Sequence, residues 1–293
     1  MLSFRRSQTA ALLVMMGFLQ AGCASPSFAG EPTDSSALPE YGVGGRGVQE
    51  DRGVQYQSVV MVLFPDSSFC SGVLITPRHV LTAAHCFCLP QGFEAREGTQ
   101  VYDGSACTRT ATVVSPSRRS PTNGNKPLSS RGKAIIHEDF RATVIDGRIG
   151  RQLADLAVIQ LEEPLGDINP DGNMPEVDVS YHERLTIVGY GPTTYRGSDS
   201  GVRRFGTNLV TTINTTSEVK EFRMGPEGVH PFGGDSGAPC FRETQEGRWL
   251  VGINYGFLTR GAQSESWFTN TFHFRAWIEK QKRVSANSLD RAP

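Results

Sequence analysis

The chain lacks an excess of charge of either sign. Its 293 residues carry 29 Lys and Arg against 30 Asp and Glu. No basic stripe stands out, so a nucleic-acid partner is not expected. A membrane-spanning run is also missing. The apolar stretch from Ala10 to Leu19 is too short to cross a bilayer. Zinc-site spacing is missing as well. His79, His85, Cys86 and Cys88 lie close together, but structural zinc sites favour Cys pairs and His pairs set further apart. Cys86-Phe87-Cys88 would point its two thiols to opposite faces of a strand. We expect no metal and no cofactor.

Turn residues, by contrast, are plentiful. There are 32 Gly and 17 Pro beside an ordinary apolar share of 38%. That mixture fits a soluble, turn-rich, all-β protein with one large β domain or two small ones. The first residues read differently. Arg5 and Arg6 precede the Ala10–Leu19 apolar core, and small residues follow, as in a secretory signal over 1–24. Two cleavage readings stay open. Leu19-Gln20-Ala21-Gly22-Cys23 is similar to a bacterial lipobox, which would put a lipid on Cys23 and anchor the protein to a membrane. Ordinary cleavage after Ala24 or Ala29 would leave it free, secreted or periplasmic. Residues 25–42 are small and polar and read as a linker or propeptide.

The chemistry is concentrated in Gly233-Gly234-Asp235-Ser236-Gly237-Ala238-Pro239. Glycine lets the backbone turn sharply and approach a ligand. A serine on such a turn can present its hydroxyl while nearby N–H groups face a developing oxyanion. A serine hydroxyl needs a base, and the base needs a third group to orient it. Val80-Leu81-Thr82-Ala83-Ala84-His85-Cys86 offers the base. Asp155-Leu156-Ala157-Val158-Ile159-Gln160-Leu161 offers a carboxylate that would be buried and would need a partner. The order His, Asp, Ser counts against an α/β-hydrolase esterase, whose order is Ser, Asp, His.

These three segments resemble the TAAHC, DIALL and GDSGGP motifs of trypsin/chymotrypsin-like serine proteases, and the resemblance runs from about Val43 to Lys280. It implies two six-stranded antiparallel β-barrels over 43–283, with the active site between them, a C-terminal helix near Phe274–Lys280, and a tail at 284–293. It implies a triad of His85, Asp155 and Ser236, an oxyanion hole from the N–H groups of Gly234 and Ser236, and hydrolysis of peptide bonds through an acyl-enzyme. Asn254-Tyr255-Gly256 is similar to the family segment that runs antiparallel to the substrate backbone. The competing function is a catalytically silent, protease-like binding module. Either would act as a monomer on a protein or peptide.

The resemblance also implies a Cys70–Cys86 disulfide beside the catalytic His. Val101 to Val114 reads as a neighbouring strand pair, so Cys88–Cys107 is the expected second bridge, with Cys240 left as a buried thiol. Gly42-Val43-Gly44-Gly45 resembles the family's mature N-terminus. Its new amine would pair with Asp235, although Gly42 would fill the family's apolar pocket poorly. Lys/Arg selectivity in the family needs an acid six residues before the nucleophile. His230 stands there, so no preference for Lys or Arg is expected. His230 would take an acidic side chain when protonated, or cap an apolar pocket. Ser115 to Arg131, with almost no apolar residue, reads as a long surface loop, and Arg141 to Leu153 as a second loop overhanging the cleft.

Overall fold

The computed structural model describes residues 47–52, 55–90, 95–120, 126–194, 197–260 and 263–283. The leader 1–24 with Cys23, the segment 25–42, the Gly42–Gly45 stretch and the tail 284–293 lie outside the described residues. The first half runs β1 (Gln49–Glu50), β2 (Val59–Leu63), β3 (Phe69–Thr76), β4 (His79–Thr82), α1 (His85–Cys88), β5 (Thr99–Asp103), β6 (Thr110–Ser120), β7 (Lys126–Ile136), β8 (Arg141–Ile145), β9 (Arg148–Leu153) and β10 (Ala157–Leu161). The second runs β11 (Arg184–Gly189), β12 (Arg204–Thr215), β13 (Lys220–Gly228), β14 (Pro239–Thr244), β15 (Gly247–Arg260), β16 (Gln263–Asn270) and α2 (Arg275–Gln281).

Strands β10-β4-β3-β2-β6-β7 close the first antiparallel barrel. A second ring follows the order β12-β11-β14-β15-β16-β13 and closes through β12–β13 pairing, with the short β1 added outside β12. The expected pair of six-stranded barrels is therefore present.

The apolar runs are continuous because both faces of their strands are covered. On β2, Val60 and Val62 fill the first barrel while Val59 faces the layer between barrels. The same division sends Leu74, Val80 and Ile159 inward, and Val73, Leu81 and Val158 to that layer. Alternation at period 2 produces both sets from one run. Leu185, Ile187, Val210, Phe222 and Phe268 fill the second barrel, where Cys240 is an unpaired, fully buried thiol. Helix α2 buries Trp277 and Ile278 in the shared layer. The Trp277 indole N–H donates to Glu138 at 2.9 Å, and its ring lies 4.8 Å from that of His137. His137 is thus part of the helix's seat, and burial lowers its pKa.

Two sequence expectations are corrected here. Ser115–Arg131 is not a loop: β6 and β7 continue as a paired hairpin on both sides of residues 121–125, with Ser115 opposite Leu128 and Ser120 opposite Lys126. Backbone pairing holds it, with Leu128 packed on the first core. Arg141–Leu153 is likewise a hairpin, β8–β9, with Asp146 and Gly147 at φ 47° and 70° in the turn. Positive φ at both central residues suits the twist of a two-residue hairpin. With β5 it makes a separate three-stranded sheet.

Cys70 is bonded to Cys86 and Cys88 to Cys107. The second bridge does not join a neighbouring strand pair. β5 pairs with β8, and β6 with β2 and β7, so Val101–Val114 is not a strand pair. With Cys86 and Cys88 both oxidised, the thiol ligands of the zinc alternative are occupied. Replacing Cys88 and Cys107 by Ser should lower stability by roughly 3 kcal/mol, the loop-closure value for a span of this size. Thermal unfolding checks it. The reactivity of the folded active site should stay unchanged.

Candidate active site

Ala154 adopts a left-handed φ of 45°, and the Leu156 N–H bonds back to its carbonyl at 2.7 Å. A non-glycine residue held there is strained, and the sharp turn puts Asp155 at its tip, 1% exposed. Both oxygens of Asp155 go to His85. Oδ1 accepts the His85 backbone N–H at 2.8 Å, and Oδ2 lies 2.7 Å from Nδ1. An ionised carboxylate only accepts, so Nδ1 carries the proton and Nε2 presents its lone pair. His85 opens α1, directly before Cys86 of the first disulfide.

Ser236 sits between Gly234 at φ 96° and Gly237 at φ 79°. At Gly237 a Cβ would come within 2.1 Å of Thr82 Oγ1 and 2.3 Å of the Ser71 carbonyl, so only glycine fits. That contact presses the serine turn onto the end of β4, three residues before His85. Ser71 fixes it further. Its N–H donates to the Ser236 carbonyl at 2.8 Å and its hydroxyl to the Gly234 carbonyl at 2.9 Å. On the other side the Gly237 N–H donates to the Asn254 carbonyl at 2.8 Å. Among the described residues, the N–H groups of Asp235, Gly237 and Ala238 all reach protein acceptors, whereas those of Gly234 and Ser236 donate to none.

Asp235 points the opposite way, fully buried. Its oxygens accept the N–H of Gly191 at 2.7 Å and of Phe232 at 2.9 Å. Burial raises its pKa to about 7, against those two bonds and the field of Arg204. A Cβ on Gly189 would lie 2.0 Å from its Oδ1, and one on Gly191 2.3 Å from its Oδ2. The carboxylate lies flat against two glycines.

The family model described as Trypsin matches residues 44–278. The chain belongs to the trypsin family. It is 25% identical to a trypsin of Phaedon cochleariae over 74% of this chain and 80% of that protein. It is 25% identical to the suppressor of tumorigenicity 14 protein homolog of Bos taurus over 72% of this chain and 25% of that protein. A trypsin-like protease of Caenorhabditis elegans is 26% identical over 45% of this chain and 46% of that protein. Membership of the trypsin family implies peptidase chemistry on a protein or peptide.

The other candidate site residues of this trypsin-family chain are held as follows. His230 is buried, its Nδ1 2.6 Å from the hydroxyl of Ser266, itself fully buried, and burial lowers its pKa. Phe232 packs edge-on against Phe257 with ring centroids 5.2 Å apart. The Asn254 side chain donates to the carbonyls of Gly256 and Trp267, both at 3.1 Å, across a bulge in β15. At that bulge Tyr255 is buried, its hydroxyl on the Glu221 carboxylate and its carbonyl accepting Gln152 Nε2 at 3.3 Å. Sequence reasoning missed Ser71, Gln152, Arg204, Glu221 and Ser266. The one signal available was Ser71, a polar residue inside an apolar strand.

Proposed function

We propose that this chain is an exported serine endopeptidase that uses His85, Asp155 and Ser236 as its triad. The observation that carries this reading is the buried Asp155–His85 pair beside a serine turn with two unengaged N–H groups. His85 Nε2 takes the Ser236 hydroxyl proton as Oγ attacks the substrate carbonyl. The N–H groups of Gly234 and Ser236 stabilise the oxyanion. His85 then protonates the leaving amine; water attacks the acyl carbon as His85 takes its proton, and His85 passes that proton to Ser236 Oγ as the carboxylic acid leaves. The Asn254–Gly256 segment lines up the substrate backbone. Export is supported by the 1–24 leader and by two disulfides, which persist in oxidising compartments. The mature protein is secreted or periplasmic, with Cys23 as the lipid site if the lipobox is used. We read the protease domain as 43–283 and the active unit as a monomer.

A fluorophosphonate probe tests the reading, with the adduct mapped by mass spectrometry. The expected adduct lies on Ser236. Failure to label both the intact protein and forms cut before Gly42 or Val43 would move the weight to a silent binding module.

His230 gives a specificity prediction. Burial keeps the imidazole neutral at pH 7, so it offers no charge to draw Lys or Arg. In a peptide library the wild type should cleave after Lys or Arg no better than after neutral residues. His230→Asp should raise the relative rate after Lys and Arg at least about tenfold, or about 1.4 kcal/mol.

A further inference from the structure

Asp235 is a carboxylate with no exposed surface, and such a group needs a positive partner to stay ionised. One source is the amine that a cut near Gly42 would release. A second source is already inside the fold. Arg204, 4% exposed, donates through Nη1 to the Gly191 carbonyl at 3.2 Å and to the Asp199 carbonyl at 3.0 Å. Its Nη2 pairs with the Asp199 carboxylate at 3.1 Å. Gly191 is therefore gripped at both ends. Arg204 holds its carbonyl, and its N–H holds Asp235. Asp235 in turn accepts the Phe232 N–H, closing the turn that carries Gly234 and Ser236.

We propose that Arg204 is a positioning residue that, through Gly191, keeps Asp235 and the oxyanion turn in working form in the uncut chain, so that no cut before Gly42 or Val43 is required for activity. The inference rests on the serine-peptidase reading. β1 supports it, because Glu50 sits opposite Arg204 and fixes the incoming chain there without a new terminus. The buried Asp51–Arg203 pair at 2.8 Å strengthens that anchor. The field of Arg204 favours the ionised form of Asp235, beside the backbone N–H groups of Gly191 and Phe232.

The folded pKa of Asp235 lies above its ordinary 3.8, at about 7. Burying this acid thus removes stability as pH rises between those values. Without Arg204 the folded pKa rises further, so the loss grows on the alkaline side. Arg204→Met should therefore lower Tm relative to wild type by more at pH 8 than at pH 6. A merely structural arginine would give a shift independent of pH in that range. The Arg204–Asp199 pair would respond only near the carboxylate range, well below pH 6.

The experiment compares fluorophosphonate labelling rates in two forms of the protein. One is the intact chain with residues 40–46 made resistant to cleavage. The other is processed from a fusion so that Val43 is the first residue. Each is made as wild type, Arg204→Met and Arg204→Lys. Intact wild type should label within about tenfold of the Val43 form. Intact Arg204→Met should lose about 100-fold, the scale of one oxyanion donor. Arg204→Lys should keep most of the rate. The Val43 form of Arg204→Met should recover, because its ammonium supplies the missing charge. If Val43 wild type labels and intact wild type does not, the inference fails while the serine-peptidase reading stands. If neither form labels, that reading fails. If intact Arg204→Met labels like wild type, Arg204 is not the positioning group.

Discussion

Ser236→Ala should lower turnover of a good peptide substrate by about a million-fold, the scale seen when a triad serine is removed alone. About a thousandfold acceleration over water should remain, because the N–H groups of Gly234 and Ser236 are backbone and survive the change. KM should hardly move. The substitution removes one oxygen from a half-buried side chain, and the bonds that fix the turn are made by neighbours or by the Ser236 backbone. Thermal unfolding should therefore match wild type. Titration of a peptide substrate, with labelling by the phosphonate probe as a second readout, checks this. A loss under about tenfold would place the nucleophile elsewhere.

The expected size of that effect depends on how well the serine is held, and the holding converges on two adjacent residues. Cys70 is bonded to Cys86, next to His85. Ser71 binds the Ser236 and Gly234 carbonyls and takes the Thr82 hydroxyl on its own carbonyl at 2.7 Å. Base and nucleophile, 151 residues apart by number, are thus referenced to the same point on β3. Near-attack geometry is sensitive to displacements of about an ångström. A shared anchor keeps the two turns from drifting independently.

The candidates His85, Asp155 and Ser236 stand out in the sequence because each lies in a short pattern whose neighbours do local work. Gly237 must be glycine to clear Thr82, and the run after Asp155 must be apolar to fill two cores. The barrels could be read for the same reason, since two buried faces yield unbroken apolar strands. The β6–β7 hairpin could not. Its outer part offers little apolar surface beyond Leu128, and pairing between backbones leaves no mark in composition. Arg204 and Glu221 were hidden differently. Arg204 acts across the chain on Asp235 and Gly191, and Glu221 on Tyr255. A charged residue in a strand looks solvent-facing until its partner is known. Asp235 was visible as a residue, but its cage of Gly189 and Gly191 was visible only as part of a strand end.

Asp155→Asn should lower kcat by about ten-thousandfold, or about 5 kcal/mol, with KM little changed. Asp155 satisfies two donors at once, the His85 backbone N–H and the ring Nδ1–H. An amide has one acceptor and one donor end. If its oxygen keeps the backbone N–H, its NH2 faces Nδ1, and the ring must move its proton to Nε2. That tautomer cannot take the Ser236 proton. If the oxygen faces Nδ1 instead, the NH2 opposes the buried His85 N–H. That leaves two donors face to face where His85 is only 7% exposed, and the strain falls on the turn that carries the base. The first arrangement keeps the fold and removes the base, whereas the second loosens His85 itself. Both lower kcat, and they separate by measurement. The first gives a Tm close to wild type, and the second lowers Tm together with kcat. A variant that keeps more than about a tenth of wild-type kcat would show that the Asp155–His85 bond does not orient the base, and would remove Asp155 from the triad.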